Sequence, residues 1–216
     1  MAKSIENISK DYDVIIWDWN GTLLNDVDTV MQTENTLFQN YGIAPLTREK
    51  RDELFCFPIE EYYRKVGFSF EEKSFEVVNQ EFMDLYEKLV NEAPLFEGAK
   101  EMLQNIASNK SQRQFILSAA PQYHIDQELA SRSLRDYFDD AFGLETVKAD
   151  SKIGRGKELF SKHKLAGAKA IMFGDTRHDQ EVADALEIDH HLIADGHQHS
   201  DYLKKFSSNV MASRFS

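Results

Sequence analysis

The segment VIIWDWNGT, residues 14–22, joins four consecutive apolar residues to an Asp-x-Asn-Gly-Thr sequence. A short apolar run bounded by polar residues is typical of a strand that is buried on both faces, as in a parallel sheet. Asp18 then stands at the carboxyl end of that strand, where open α/β sheets bind their ligands. The segment therefore predicts an α/β fold and supplies its first candidate functional residue.

Three further apolar runs follow, and helical patterns lie between them. The runs cover residues 115–117, 170–173 and 191–194, and the helical patterns cover about 97–109, 122–133, 156–165 and 179–186. Alternating strands and helices predict a parallel sheet with helices on both faces. Ser118 follows the second run, and Asp175 follows the third, with Asp179 four residues later.

The polar residues after these runs are expected to meet at one edge of the sheet. Carboxylates gathered there repel each other unless a cation lies among them, and hard oxygen ligands suit Mg²⁺. Any one Asp is also explained as a helix N-cap or a turn former. That explanation is weaker for Asp18, Ser118 and Asp175 together, because all three follow apolar runs.

Residues 26–94 interrupt the alternation, with helical patterns and no strand pattern. Segments 25–41 and 59–66 have helical character, and one apolar stripe with spacings of three and four residues is formed by Phe75, Val78, Phe82, Leu85 and Leu89. We therefore expect two domains. Residues 1–25 and 95–216 form the α/β core, and residues 26–94 form a helical insertion.

Composition narrows the classes of partner. The 216 residues contain 25 Lys and Arg against 37 Asp and Glu, a net charge of −12, of which −8 falls in the insertion. This acidity argues against nucleic acid and anionic membranes as partners. No apolar run reaches the length of a membrane span, no secretory signal is visible, and the single Cys56 suits a reducing compartment. We expect a cytoplasmic protein, either a monomer or a homodimer.

The ordered motifs resemble those of the haloacid dehalogenase-like superfamily. That family carries Asp-x-Asp-Gly-Thr after its first strand, Ser or Thr after the second, then a Lys and Gly-Asp-x-x-x-Asp. Matching segments here are VIIWDWNGT at 14–22, FILS at 115–118, a lysine near position 152, and MFGDTRHD at 172–179. The resemblance covers residues 11–200 and implies a Rossmann-like core. An α-helical cap between the first two motifs is similar to that of the phosphoglycolate phosphatase-like branch.

The resemblance also implies an activity and a metal. Asp18 would be the nucleophile that forms an aspartyl-phosphate, in Mg²⁺-dependent hydrolysis of a small phosphomonoester. The metal would be held by the side chains of Asp18, Asp175 and Asp179 and by the backbone carbonyl of Asn20. The implied partner is a small phosphorylated metabolite.

Substrate contacts follow from the same resemblance. Ser118 would donate a hydrogen bond to a phosphoryl oxygen, with Ala119 beside it, and backbone N–H groups around Trp19 and Asn20 would form an anion nest. A lysine would balance charge during phosphoryl transfer. Lys152 is preferred because it lies 23 residues before Asp175. The alternatives are Lys148 and Lys157.

Asn20 departs from the family pattern, which usually has a second Asp acting as general acid and base at this position. Asn has no proton to exchange near neutral pH. Three interpretations remain open: a slow phosphatase assisted by water or a neighbouring group, recruitment of His178 or His124 as another base, or a phosphoryl-binding or regulatory protein with little turnover.

The insertion holds candidates for substrate selection. Its cationic residues Arg48 and Arg51, and also Arg64 and Lys65, could bind a second anionic group on the substrate, or form a solvated helix face. Its aromatic residues could shape a pocket or fill the core of the cap; they are Phe55, Phe57, Tyr62 and Tyr63.

Overall fold

A computed structural model describes residues 4–145, 151–194, 196–211 and 215. The chain divides into two compact units. Met1–Asn25 and Leu95–Ser216 form one, which we call the sheet unit, and Asp26–Pro94 forms the other, which we call the helical unit.

The sheet unit is built on a parallel sheet of six strands in the order β3-β2-β1-β4-β5-β6. The strands are β1 Val14–Trp17, β2 Arg113–Pro121, β3 Asp140–Leu144, β4 Ala170–Gly174, β5 Asp189–Ile193 and β6 Val210–Met211. The helices of this unit are α1 Ile5–Ser9, α6 Ala99–Ser108, α7 Gln122–Ser131, α8 Lys152–His163, α9 Arg177–Ala185 and α10 Ser200–Leu203. The expected α/β class with a parallel sheet is confirmed.

β1 lies between β2 and β4, and its carboxyl end lies within one residue of the end of β4 and beside the middle of β2. Trp17 pairs with Ile116 on one side and with Phe173 on the other. All four residues of β1 are buried. Because successive side chains of a strand point to opposite faces, both faces of the sheet are covered at its centre.

Two strands, β3 and β6, were not predicted from the sequence. β3 contains Gly143 and pairs with β2, and β6 is two residues long. Neither segment carries the continuous apolar run that marks a strand buried on both faces. β2 also extends past the predicted run to Pro121, and its register against β3 shifts between Leu117 and Pro121. Ser118 therefore lies in the irregular part of β2 and not at its end.

The helical unit contains four α-helices, followed by a 3₁₀ turn at Val90–Glu92. They are α2 Val27–Asn40, α3 Arg48–Leu54, α4 Ile59–Val66 and α5 Phe75–Leu89. Its core is largely aromatic and includes Phe38, Phe55, Tyr62, Tyr63 and Phe68. None of the helices in the described part of the chain is both long and apolar enough to cross a membrane.

Candidate active site

Three carboxylates meet at the carboxyl edge of the sheet. Asp18 follows β1, Asp175 follows β4, and Asp179 lies in the first turn of α9. All three are buried, and one carboxylate oxygen from each lies within 4.8 Å of the others. Lys152, the first residue of α8, is also buried, and its ammonium donates to Asp18 Oδ1 and, at 2.5 Å, to Asp179 Oδ1. Within the described part of the chain, the fold thus brings three carboxylates and the Lys152 ammonium together.

Local hydrogen bonds fix Asp179. Its Oδ2 accepts from the backbone N–H of Thr176 at 2.9 Å and from the Thr176 hydroxyl at 2.7 Å. Gly174 packs so closely that a Cβ there would contact the Asp179 carboxyl group. Asp179 therefore stabilises the start of α9 through one oxygen and contacts Lys152 through the other. It is both a helix-capping residue and a member of the carboxylate cluster.

Asp175 is held from two sides. The hydroxyl of Thr22 lies 3.1 Å from Asp175 Oδ1 and 3.3 Å from Asp18 Oδ2, so it bridges the two carboxylates. The backbone N–H of His197 donates to Asp175 Oδ2. Gly21 has φ = +71°, and a Cβ there would contact the Asp175 carboxyl group. This turn requires glycine both for its backbone angle and for its close approach.

The electrostatics of the cluster favour a further cation. Burial raises the pKa of Asp18 to about 8; Lys152 opposes this, and the charges of Asp179 and Asp175 add to it. Burial also raises the pKa of Asp179, but the Lys152 ammonium and the Thr176 hydrogen bonds more than offset it and hold that pKa below its usual value. Lys152 stays protonated, because its burial is outweighed by Asp179 and Asp18. One ammonium does not balance three carboxylates, and this all-oxygen donor set fits a hard divalent cation.

Ser118 is buried, and Ala119 beside it is exposed. The Ser118 Oγ accepts from the backbone N–H of Ala120 at 3.1 Å, which leaves its hydroxyl hydrogen to be directed at an acceptor. Asn20 lies two residues beyond Asp18 in the turn and is partly buried.

Trp19 is turned into the sheet unit. Its side chain is fully buried, and its indole N–H donates to the carboxylate of Glu128, a buried residue of α7. The Trp19 carbonyl accepts from the backbone N–H groups of Thr22, Leu23 and Leu24. Any contact of Trp19 with substrate therefore falls to its backbone, because its indole ring is committed to Glu128.

The three candidate lysines are placed differently. Lys152 reaches the carboxylates, whereas Lys157 is exposed on α8. Lys148 lies outside the described residues. Geometry thus singles out Lys152 among the two candidates that the structure describes.

The two candidate bases differ in their surroundings. His178 lies in the first turn of α9, with its Nδ1 3.4 Å from Glu181 Oε2. His124 is buried in α7, and its ring lies 4.8 Å from the Tyr123 ring, centroid to centroid, at an angle of 49°.

The candidate cations of the helical unit all have acidic partners within it. Arg48 pairs with Asp52 at 3.0 Å, and the fully buried Arg51 pairs with the buried Glu34 at 2.7 Å. Exposed Arg64 and Lys65 pair with Glu60 and Glu61 on their own helix.

Several residues of the site were missed by the sequence analysis. Glu128, His197 and Gln198 contact the motif segments, yet they lie far from them in sequence. No motif spacing marks them. For His197 and Gln198 the available signal was Gly196, a glycine two residues after the last apolar run.

A buried cluster of aspartates and a lysine at the carboxyl edge of a parallel sheet defines a class of Rossmann-like α/β proteins with a candidate metal site. The family model for haloacid dehalogenase-like hydrolases matches residues 15–193, and the chain belongs to this family. A search among curated proteins found no match.

Solved structures share the fold. A haloacid dehalogenase-like family hydrolase from Streptococcus pneumoniae has 21% identity and a TM-score of 0.80, covering 94% of this chain and 95% of that one. A predicted phosphoglycolate phosphatase from Haemophilus somnus 129PT has 16% identity and a TM-score of 0.74, covering 94% of each chain. A predicted phosphatase from Clostridium acetobutylicum has the same four values.

Proposed function

We propose that this protein is a Mg²⁺-dependent phosphatase that hydrolyses a small phosphomonoester through an aspartyl-phosphate on Asp18. The observation that carries the proposal is the buried cluster of Asp18, Asp175, Asp179 and Lys152 at the carboxyl edge of the sheet. The predicted phosphatases among the similar structures support the same class of reaction.

The metal ligands in this proposal are the side chains of Asp18, Asp175 and Asp179 and the backbone carbonyl of Asn20. A bound Mg²⁺ supplies positive charge that lets an anionic carboxylate approach an anionic phosphate. Asp175 and Asp179 are already fixed by the N–H of His197 and by Thr176, so they need little rearrangement to act as ligands.

Asp18 acts as the nucleophile in the first step. Its carboxylate oxygen bonds to phosphorus, the bond from phosphorus to the ester oxygen breaks, and the leaving oxygen takes a proton. The Lys152 ammonium orients Asp18 and balances charge, and the Ser118 hydroxyl donates to a phosphoryl oxygen. Water then attacks the aspartyl-phosphate, which releases inorganic phosphate and restores Asp18.

Asn20 makes this cycle slow. Its amide neither donates a proton to the leaving oxygen nor removes one from the attacking water. Water takes over both roles in this proposal. The same residue favours a second candidate function, a phosphoryl-binding or regulatory protein in which turnover is almost absent.

We also propose that the helical unit, Asp26–Pro94, is the cap domain that selects the substrate. Arg48 is our candidate for contacting a second anionic group, because its side chain remains 29% exposed beside Asp52. Arg51 receives no substrate role here, because it is buried against Glu34 in the core of the unit.

A panel of phosphate esters, assayed with Mg²⁺ and with a chelator, tests the proposal. We expect Mg²⁺-dependent release of phosphate by the wild type, loss of that release in Asp18→Asn, and no change in the matched control Asp13→Asn. Asp13 is exposed just before β1, at the opposite end of the same strand. Release that survives Asp18→Asn contradicts the proposal. Release of the alcohol limited to one equivalent per protein favours the second candidate.

A further inference from the structure

The loop after β5 contacts the segment between two of the site carboxylates. We call Gly196–Gln198 the β5 loop. Each of its three residues touches the segment Asp175–Arg177, which leads from the end of β4 into α9. Neither the sequence motifs nor the proposed chemistry gives this loop a role.

In two of these contacts, backbone atoms of the β5 loop hold the Asp175 carboxyl group. A Cβ on Gly196 would contact the Asp175 side chain, so the loop backbone lies directly against that carboxyl group. The next residue, His197, donates its backbone N–H to Asp175 Oδ2. This hydrogen bond holds the Asp175 carboxylate in one orientation. Its other oxygen, Oδ1, contacts the hydroxyl of Thr22.

The third contact is made by a side chain. Gln198 is buried, at 4% exposure, and its Oε1 accepts from the backbone N–H of Arg177 at 2.7 Å. Arg177 is the first residue of α9, and the first N–H groups of a helix have no acceptor within the helix. Gln198 therefore caps α9 from a segment that lies 21 residues further along the chain.

The N–H that Gln198 caps lies between two of the proposed metal ligands. Asp175 precedes Arg177 by two residues and Asp179 follows it by two, so the Arg177 N–H lies midway along the backbone that sets their separation. A divalent cation with near-ideal octahedral geometry tolerates little variation in that separation. Fixing the midpoint thus limits how far the two carboxylates move relative to each other.

We propose that Gln198 is a positioning residue which, through the N–H of Arg177, holds Asp175 and Asp179 at the separation that a divalent cation requires. This inference rests on the proposed function in one respect, that the carboxylates bind Mg²⁺. A cap with a purely structural role would lower the stability of the fold and leave the Mg²⁺ affinity of the folded protein unchanged.

Calorimetric titration of the full chain with Mg²⁺ alone tests the role. Changes in the outer partners of metal ligands typically weaken metal binding about 10- to 100-fold. We expect Gln198→Met, which loses the acceptor, to bind Mg²⁺ about tenfold more weakly than the wild type. Gln198→Glu keeps an acceptor oxygen at the same distance along the side chain and should bind at least as tightly as the wild type.

The matched control is Gln180→Met, the same substitution on α9. Gln180 donates to the carbonyl of Phe206 at 3.4 Å and does not belong to the carboxylate site, so its loss should leave Mg²⁺ affinity unchanged. If Gln198→Met does not fold, Gly196→Ala tests the same loop, because its Cβ displaces the Asp175 carboxyl group and should weaken Mg²⁺ binding by a similar factor.

Equal Mg²⁺ affinities of folded Gln198→Met and wild type overturn the inference. A loss in Gln198→Glu as large as that in Gln198→Met overturns it too, since the acceptor oxygen is then irrelevant. Ester hydrolysis separates this result from the proposed function. A tenfold affinity difference without hydrolysis contradicts only the phosphatase proposal, and equal affinities with hydrolysis intact contradict only the role of Gln198.

Discussion

At the scale of single residues, Asn20 has the largest expected influence on rate. A positioned general acid or base contributes about 10²- to 10⁴-fold to a rate, and the Asn20 amide supplies neither. Asn20→Asp should therefore raise kcat for Mg²⁺-dependent hydrolysis by at least about tenfold. The measurement is kcat on an activated phosphate ester at saturating Mg²⁺.

The double variant Asp18→Asn/Asn20→Asp controls for activity that does not use the nucleophile. It should stay inactive, because no aspartyl-phosphate forms without the Asp18 carboxylate. The carboxylate introduced at position 20 then has no intermediate to act on. An unchanged or lower kcat in a well-folded Asn20→Asp protein would show that proton transfer at this position does not limit turnover.

Site residues could be predicted in two ways: Asp18 and Asp175 from the apolar runs before them, and Lys152 and Asp179 from the family resemblance. Asp18 stands directly after an apolar run and Asp175 stands two residues after one, and their convergence follows from the geometry of a parallel sheet. Gln198 and Glu128 could not be found in this way. Their roles arise from contacts 21 and 109 residues away, which depend on packing and leave no periodic trace.

At the scale of elements, α2 and α3 of the helical unit are joined by a buried ion pair. Arg51 Nε lies 2.7 Å from Glu34 Oε2, both residues are buried, and the Tyr62 hydroxyl donates to the same carboxylate at 3.2 Å. Removing one partner of such a pair leaves a buried charge poorly compensated. Arg51→Met should lower the free energy of unfolding by about 3–5 kcal/mol in urea titrations.

Two comparisons make the ion-pair experiment specific. The double variant Glu34→Met/Arg51→Met should lose less than Arg51→Met alone, because no buried carboxylate remains. Arg64→Met removes an exposed pair with Glu60 on α4 and should cost no more than about 1 kcal/mol. If Arg51→Met and Arg64→Met lower the free energy of unfolding by the same amount, the burial of the Arg51 pair does not increase its contribution to stability.

We expect two histidines of β5 to make the stability of the fold depend on pH. Burial lowers the pKa of His190 and of His191 below the usual 6.5. In the pH range just below 6.5, the unfolded chain therefore binds more protons than the native chain, and stability falls as pH falls. We expect the loss of unfolding free energy between about pH 7.5 and about pH 5.5 to be smaller in His191→Leu than in the wild type.

His199→Gln is the matched control for that pH series, because His199 is exposed in the segment after β5. It should follow the wild-type dependence. An identical slope in His191→Leu and wild type would mean that His191 does not contribute to the pH dependence. The readout is the urea midpoint and slope at each pH value.

Elements with strong periodic signals were predicted well, and those without them were not. The stripe from Phe75 to Leu89 coincides with α5, and the segment 59–66 coincides with α4. α3 was missed, because its seven residues, REKRDEL, are almost entirely charged and show no apolar stripe. A short helix of this kind is fixed by its Thr47 cap and by the burial of Arg51, which the sequence pattern does not reveal.

At the scale of the whole molecule, the net charge of −12 comes from carboxylates in two different environments, exposed and buried. The helical unit accounts for −8 of it, because its 15 Asp and Glu outnumber its seven Lys and Arg, and most of these carboxylates are exposed. In the sheet unit, part of the remainder is the buried group of Asp18, Asp175 and Asp179, which share one ammonium. Only the buried group should respond strongly to a specific divalent cation, because exposed charges are screened by any salt.

Mg²⁺ should therefore stabilise the fold beyond its contribution to ionic strength. A cation that binds only the native state adds about 2.7 kcal/mol to the free energy of unfolding at about 100 times its Kd. The measurement is urea unfolding, followed by a probe in the sheet unit, with Mg²⁺ and with NaCl at matched ionic strength. Asp175→Asn should lose the Mg²⁺-specific gain, whereas Glu60→Gln, on the exposed face of α4, should keep it. Equal stabilisation by both salts would show that the negative charge of this protein acts as a diffuse field, and that the buried carboxylates do not form a cation site.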